Sequence, residues 1–204
     1  MFDEFSSDIK RKIAIACVDA VSGAYVTFDE STKQPVKAIV SSASIPFVFP
    51  HQVWPETGVV CMDGGSVWNT NIVSAIKRCR EIVDDDSKII LDIVICDAAH
   101  VDYITNTTNT ISNFYRFKDI KNSVNSLSDI VEFQRAYPGV NFRHFVQPTE
   151  PLKGNGINMI NFDNATCTYD MQMQGRKDGK VAVNSGETFL SDKINDWVEN
   201  KLSI

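Results

Sequence analysis

The chain has 204 residues and a net charge of −6, and 43% of its residues are hydrophobic while 23% are charged. This balance excludes wholesale disorder and predicts one globular domain spanning residues 1–204. The acidic net charge and the lack of a basic run argue against nucleic acid as a partner. No stretch of the sequence approaches the roughly 18 apolar residues that a transmembrane helix needs.

The cysteine pattern indicates free thiols. Five cysteines without a C-x-x-C pair argue against a disulfide framework and against a thiolate metal site. Cys17, Cys61 and Cys96 lie in apolar runs, so we expect buried free thiols and a reducing compartment. Residues 1–5 are acidic where a signal peptide would be basic and then apolar. We therefore expect a protein of the cytoplasm or of a membrane periphery, and two N-glycosylation sequons would matter only in the secretory pathway.

The first part of the chain predicts two strands and a short helix. Residues 13–18 form a continuous apolar run, and residues 24–28 predict a second strand that pairs with it as a hairpin through a turn at 19–23. Pro35 opens a helix, because proline at a first helical position lacks only an amide hydrogen that would be unpaired anyway. Two prolines in residues 45–50 exclude regular helix there, so we expect their aromatic neighbours to be buried in an irregular segment.

The next stretch ends a strand on an acid. Residues 59–62 have the apolar, β-branched character of a short buried strand, and Asp63, Gly64 and Gly65 follow it directly. A carboxylate at the end of a buried strand is costly unless partners satisfy it, so it marks either a structural cap or a catalytic site. Because glycine has no Cβ, Gly64 and Gly65 allow positive φ and let another backbone or a ligand approach Asp63.

The structural alternative is an ordinary strand-to-helix turn, in which Asn69 or Thr70 caps the helix that follows. Residues 71–83 carry apolar side chains at helical spacing, which predicts an amphipathic helix packed against a sheet. Residues 88–96 are apolar on both of the faces that alternate along a strand, which predicts a central parallel strand. A helix between two buried strands is the βαβ pattern, and it predicts an α/β fold.

The rest of the chain predicts further helices around one strand. Residues 105–137 are polar with apolar side chains at roughly helical spacing, so we expect helical segments that form a mobile cover over the site. Residues 140–146 predict a strand. Two more helices are expected at residues 163–173, with Gly175 near the end or at a kink, and at residues 187–202.

Few residues offer chemistry. The best cluster, Asp97, His100 and Asp102, contains a single histidine, which is more often a hydrogen-bonded loop residue than a metal ligand, so we expect no metal. No phosphate-binding loop and no dinucleotide-binding fingerprint occurs, so we expect no cofactor. No G-x-S-x-G nucleophile elbow and no glycine-rich oxyanion loop occurs either. The residues supply a candidate base, Asp63, and no nucleophile for it.

The order of motifs over residues 13–83 is informative as a set. A strand leads to a D-x-x-x-G turn at residues 19–23, a helix runs into the segment SSASIPFVFP at residues 41–50, and D-G-G then precedes Asn69 and Asn71. This order resembles the C-terminal half of a patatin-like phospholipase domain. The resemblance implies that the chain is part of a three-layer α/β/α domain with a central, mostly parallel sheet.

The resemblance also implies a function. It suggests one part of a serine-aspartate dyad lipid acyl hydrolase, of the phospholipase A or esterase type, that acts on fatty acyl esters. Asp63 would be the general base that deprotonates the serine directly, without a histidine. Gly64, Gly65, Asn69 and Asn71 would support the site.

The chain departs from the family in one large respect, because the half that carries the oxyanion-hole glycines and the nucleophilic serine is missing. Phe47 stands where a small residue is usual, and His51 stands where a second proline is usual. We expect the serine on a preceding segment or on a companion polypeptide, or its loss in a truncated gene product, and we expect no activity from this chain alone. An isolated half should expose a sheet edge and a hydrophobic face.

The partners that follow are a lipid or fatty acyl ester substrate, the companion polypeptide, and transient contact with a membrane surface. An acyl channel would draw on Phe47, Phe49, Trp54 and residues 105–137. Two alternatives remain open: a non-catalytic patatin-like half that binds lipid or a protein partner, and an unrelated α/β binding module.

Overall fold

The computed structural model describes residues 11–96, 109–150 and 165–185. The chain divides into two compact units, residues 1–85 and 86–204. The described residues form two sheets and four α-helices, which confirms a mixed α/β fold. The single domain over residues 1–204 stays a prediction. The Asp97 to Asp102 cluster and the helix expected at 187–202 lie outside the described residues.

The first unit contains a four-stranded sheet in which every pairing is antiparallel. Its strands are β1 Ile15–Asp19, β2 Tyr25–Phe28, β3 Gln52–Trp54 and β4 Val59–Asp63, and their order is β2-β1-β4-β3. The predicted hairpin of β1 and β2 and the strand that ends on Asp63 are both present. The mostly parallel central sheet is not found in the described residues.

A buried carboxylate holds the hairpin turn. Asp19, which is 8% exposed, accepts hydrogen bonds from the amides of Val21 and Ser22 and from the Ser22 hydroxyl. It also accepts one from the amide of Val60 at 3.0 Å. The Ser22 hydroxyl and the Val60 amide, in that order, hold the pKa of Asp19 below its ordinary value. One side chain therefore joins the β1–β2 turn to β4.

Helices cover both faces of this sheet. The first is α1, Pro35–Ser42, which begins with proline as predicted and places Ala38 against Cys17 and Cys61. Trp54 lies in the same cluster and donates its indole N–H to the Ser41 hydroxyl at 3.0 Å. The second helix is α2, Ile72–Arg80.

The position of α2 follows from the strand register. The α2 residue Ser74 lies 3.5 Å, hydroxyl to hydroxyl, from Thr27, which pairs with Ala16 in the sheet. Successive residues of a strand point to opposite faces, so Ala16 and Cys17 face opposite ways. The first unit is consequently layered as helix, sheet, helix.

The free-thiol prediction is wrong for two cysteines. Cys17 and Cys61 form a disulfide, with their sulfur atoms 2.07 Å and their Cα atoms 5.5 Å apart, and both are fully buried. The pairing depends on the adjacency of β1 and β4, which local sequence does not reveal. Cys96 is a free thiol, but it is exposed rather than buried. The argument for a reducing compartment loses its premise, because disulfides persist mainly in oxidising environments.

The second unit combines a parallel strand pair with two long helices. Its elements are β5 Ile90–Val94, α3 Thr110–Ala136, β6 Asn141–Val146 and α4 Ala165–Ser185. The strands β5 and β6 pair in parallel. Buried Asp178 of α4 accepts hydrogen bonds from the amide and the hydroxyl of Thr149, which anchors α4 to the segment after β6.

The predicted βαβ unit is not formed in the described residues, because β4 and β5 belong to different sheets. Strand β5 was expected to be covered on both faces. Instead, Ile93 is buried, while Ile90 is 53% and Val94 is 70% exposed. The helix expected to end near Gly175 continues to Ser185.

The segment at residues 45–50 is irregular, as predicted, but its aromatic side chains are not buried. Phe47 is fully exposed and has a φ of 70°, and Phe49 is partly exposed. A positive φ is a true outlier for a bulky residue.

Candidate functional site

Asp63 ends an inner strand of the sheet. Its backbone amide donates to the carbonyl of Ser44 at 3.0 Å, which ties the end of β4 to the segment after α1. The chain then makes one 3-10 turn, Gly64–Ser66, and Asp63 caps this turn by accepting a hydrogen bond from the Gly65 amide at 2.7 Å. The Gly65 amide is therefore a fixed hydrogen-bond donor to the Asp63 carboxylate.

Both glycines of the D-G-G motif are explained by close approach rather than by positive φ. A Cβ on Gly64 would lie 2.7 Å from the carbonyl oxygen of Ala16 in β1. A Cβ on Gly65 would lie 3.0 Å from Asp63 Oδ1 and 3.0 Å from Asn69 Oδ1. Gly64 therefore lets the turn pack on β1, and Gly65 leaves room for two polar oxygens.

The cap of α2 is Asn71, so the alternatives Asn69 and Thr70 are wrong. Asn71 Oδ1 accepts a hydrogen bond from the amide of Ser74 at 3.2 Å. Its Nδ2 is buried and has no hydrogen-bond partner among the described residues. A buried amide donor without a partner is costly, which points to a ligand or water at this position.

These residues surround a cleft of about 350 Å³ within the first unit. The lining draws on the start of β1, on β2, on the end of α1 and on the stretch after β4. Its members are Ala14, Ala16, Tyr25, Ser42, Ala43, Asp63, Gly64, Gly65, Trp68, Asn69 and Asn71. The structure thus brings all five residues selected from the sequence to one cleft.

Two aromatic lining residues, Tyr25 and Trp68, were missed by the sequence analysis. The rings of Tyr25 and Trp68 meet edge to face, with centroids 5.0 Å apart, and the Tyr25 hydroxyl donates to the Trp68 carbonyl at 3.3 Å. Burial first, and the negative charge of Asp63 second, raise the pKa of Tyr25 to about 12. Trp68 lies three residues after the D-G-G motif, so its sequence position could have suggested a place in the site. Nothing in the sequence around Tyr25 indicates such a role.

The residues suggested for an acyl channel do not line this cleft. Trp54 is buried in the core against Phe28, and Phe47 and Phe49 are exposed to solvent. Residues 109–136 belong to the second unit, and their role as a cover stays a prediction.

The histidines offer no second chemical centre within the described chain. His51 is exposed. His144 lies in β6, and its buried Nδ1 has no hydrogen-bond partner among the described residues. No group of three metal-binding side chains occurs in residues 11–96, 109–150 and 165–185. Within those ranges no helix is both long enough and apolar enough to cross a membrane.

The site can therefore present one oriented carboxylate to a small ligand or to an incoming hydroxyl group. Comparison of the chain with protein-family models, curated proteins and solved structures gives no match.

Proposed function

We propose that this chain supplies the acid half of a patatin-like serine-aspartate lipid acyl hydrolase. The observation that carries the proposal is the placement of Asp63 at the end of an inner strand, capped by the Gly65 amide and open to a cleft. In this proposal the chain is the C-terminal part of a three-layer α/β/α domain, and the complete domain has a mostly parallel sheet.

The chemistry needs a serine from outside the chain. The serine oxygen attacks the ester carbonyl while its proton passes to Asp63, and Asp63 then returns that proton to the leaving alcohol. Water hydrolyses the acyl-serine with Asp63 again as the base. The Gly65 amide fixes the orientation of the carboxylate for these transfers.

Exposed apolar surface supports a missing partner segment. In the first unit, β3 is an outer strand of the sheet, and its Val53 is 55% exposed. On α1, Ile39 and Val40 are also about half exposed. Monomeric proteins seldom leave an apolar edge uncovered, so we propose that the serine-bearing segment packs here.

The first test uses the purified chain. We expect no hydrolysis of a short-chain fatty acyl ester, because the chain lacks the nucleophile. Turnover that disappears in Asp63→Asn and persists in Asp84→Asn, a matched change of an exposed aspartate, would contradict the split site. A soluble, monodisperse isolated chain would also weigh against a missing half.

The second test uses the polypeptide or complex as its source organism makes it. Intact mass and N-terminal sequencing identify any preceding or companion segment, and a fluorophosphonate probe should label a serine in G-x-S-x-G there. We expect Asp63→Asn to lower the ester turnover of that assembly by about 10²–10⁴-fold, the usual contribution of a general base. An unchanged rate would exclude Asp63 as the base.

The alternative is a non-catalytic half that binds lipid or a protein partner, and fully exposed Phe47 favours it. In that case lipid vesicles would retain the chain, Asp63→Asn would bind equally well, and no labelled serine would be found. Peripheral membrane contact belongs to both proposals. The Cys17–Cys61 disulfide weighs against the cytoplasm as the compartment.

A further inference from the structure

The long helix α3 of the second unit has one apolar face that is buried at one end and open at the other. Phe117, Ile120 and Val124 are three and four positions apart, a spacing that places them on one face of a helix. Val131 continues this face and, with Ile130, is buried and anchors the helix. Phe117 is 62% exposed and Ile120 is 44% exposed. The N-terminal part of the face is therefore open to solvent.

Basic residues flank the open part of this face. A helix turns by about 100° per residue, so Arg116 lies on one side of Phe117 and Lys121 lies on the opposite side of Ile120. Neither cation has an ion-pair partner among the described residues. Residues 110–121 contain three basic residues against one acidic residue, whereas the whole chain has a net charge of −6. The open face is thus bordered by positive charge on an acidic protein.

An apolar helix face bordered by cations fits the surface of an anionic lipid bilayer. Helices that lie in a bilayer interface bury their apolar side chains at the boundary of the acyl chains, while lysine and arginine extend to the headgroups. A protein partner would need an acidic group placed opposite each cation, whereas anionic headgroups meet both cations in any register. The same surface repels the rest of an acidic chain, so this patch also determines which side faces the bilayer.

We propose that the N-terminal part of α3 docks on an anionic lipid surface. Phe117 and Ile120 enter the acyl boundary, and Arg116 and Lys121 contact the lipid phosphates. The proposal assigns membrane contact to a surface of the second unit, and it does not depend on the hydrolase.

The test measures how much of the full chain sediments with lipid vesicles. One vesicle type contains phosphatidylcholine alone, and the other contains phosphatidylcholine and phosphatidylserine in equal parts. We expect binding to be about 10–30-fold tighter on the anionic vesicles, because two cations without protein partners meet negative headgroups there. Added salt should reduce this preference, since it screens charges at the surface.

Paired substitutions separate the apolar contacts from the ionic ones. Phe117→Ser combined with Ile120→Ser should weaken binding to both vesicle types about tenfold, because less apolar area enters the bilayer. Arg116→Gln combined with Lys121→Gln should remove most of the preference for anionic vesicles and leave binding to phosphatidylcholine unchanged.

Each pair has a matched control on exposed residues of the second unit. For the apolar pair the control is Val181→Ser with Val183→Ser on α4, where both valines are exposed to a similar degree. For the ionic pair it is Arg135→Gln with Lys180→Gln, which removes two exposed cations elsewhere. Both controls should bind as the wild type does.

Phe117→Trp tests the contact without removing it. Tryptophan favours the bilayer interface, so this variant should bind at least as tightly as the wild type. The fluorescence that it adds to the wild-type signal should be quenched by brominated phosphatidylcholine in the vesicles. This measurement decides the matter even where the serine variants fail to fold.

Equal binding to the two vesicle types, unaltered affinity in the serine pair, or an unquenched Phe117→Trp signal would overturn the proposal. Absence of retention on either vesicle would overturn it as well and favour a protein partner. Retention that Phe47→Ser abolishes would place the contact in the first unit instead.

The two proposals fail separately. Vesicle binding by a protein whose native assembly has no hydrolase serine refutes only the acyl hydrolase. Loss of ester turnover in Asp63→Asn without any retention on vesicles refutes only the docking of α3.

Discussion

Asp19 and Asp63 illustrate two uses of one residue type on neighbouring strands. The register of β1 and β4 places Asp19 opposite Cys61 and Cys17 opposite Asp63, so both acids lie beside the disulfide. Four donor groups surround Asp19, which makes it a structural cap. Asp63 lines an open cleft, which suits it to a ligand or a proton.

The lowered pKa of Asp19 predicts a pH-dependent contribution to stability. The folded state favours the ionised form, so the stabilisation is present above the unfolded pKa of about 3.9 and is lost as the pH falls through the folded value. We expect Asp19→Asn to melt at a lower temperature than the wild type at pH 7, and the difference to shrink below about pH 4. Thermal unfolding at both pH values measures this, with Asp84→Asn as the control. A pH-independent difference would mean that charge has no part in the effect.

Gly64 should be intolerant of any side chain. The Cβ of alanine would approach the Ala16 carbonyl oxygen to 2.7 Å, and a strand backbone cannot yield as a flexible side chain can. We expect Gly64→Ala to lower the free energy of unfolding by about 1–3 kcal/mol, the range for overpacking.

Denaturant unfolding measures the change. The control is Gly175→Ala in α4, where a Cβ would meet no atom within 4 Å. That substitution should stabilise by about 0.5–1 kcal/mol through helix propensity. A neutral Gly64→Ala would show that β1 and the turn are less closely packed.

Phe47 carries backbone strain without any burial to offset it. Asparagine tolerates a positive φ far better than phenylalanine, and a fully exposed ring loses no packing when it is removed. We expect Phe47→Asn to raise the free energy of unfolding by about 0.5–1 kcal/mol. The comparison is Phe49→Asn, whose φ is not positive and whose ring is more buried, and which should not stabilise. Destabilisation by Phe47→Asn would show that the ring makes a contact in solution.

Among the elements, the disulfide is the covalent link between β1 and β4. It joins two cysteines with a sequence separation of 44, so its removal should cost about 2–4 kcal/mol, mainly because the unfolded chain gains freedom. We expect this loss in the variant with Cys17→Ala and Cys61→Ala, measured by denaturant unfolding, and little change in Cys79→Ala. Alkylation of the unfolded, unreduced chain should leave Cys17 and Cys61 unmodified. Labelling of both would show that the bond is absent.

The elements that sequence could predict are those that local patterns determine. Proline at the first position marked α1, an apolar run that ends on Asp-Gly-Gly marked β4, and the turn at Gly23 marked the hairpin. Burial was harder to predict. An apolar run such as Ile90–Val94 has the same pattern whether or not both of its faces are covered, and only the surrounding chain decides.

At the scale of the molecule, the candidate site was partly predictable. Asp63 and its glycines are contiguous, so one motif revealed them, whereas Tyr25 reaches the cleft only because β2 pairs with β1 and β1 pairs with β4. The sequence pattern could not establish whether the sheet is parallel, because the relative direction of paired strands depends on which strands become neighbours. The Cys17–Cys61 pairing was missed for the same reason.

The cleft is formed by one short, continuous part of the gene product, which matters for how the site can evolve. Every lining residue that the structure describes comes from residues 14–71, all within the first unit. A gene fusion, fission or exchange on either side of that stretch leaves these lining residues in one piece. If a serine-bearing segment completes the site, that segment can be recombined or replaced without any change to Asp63, to Gly64 and Gly65, or to Tyr25 and Trp68.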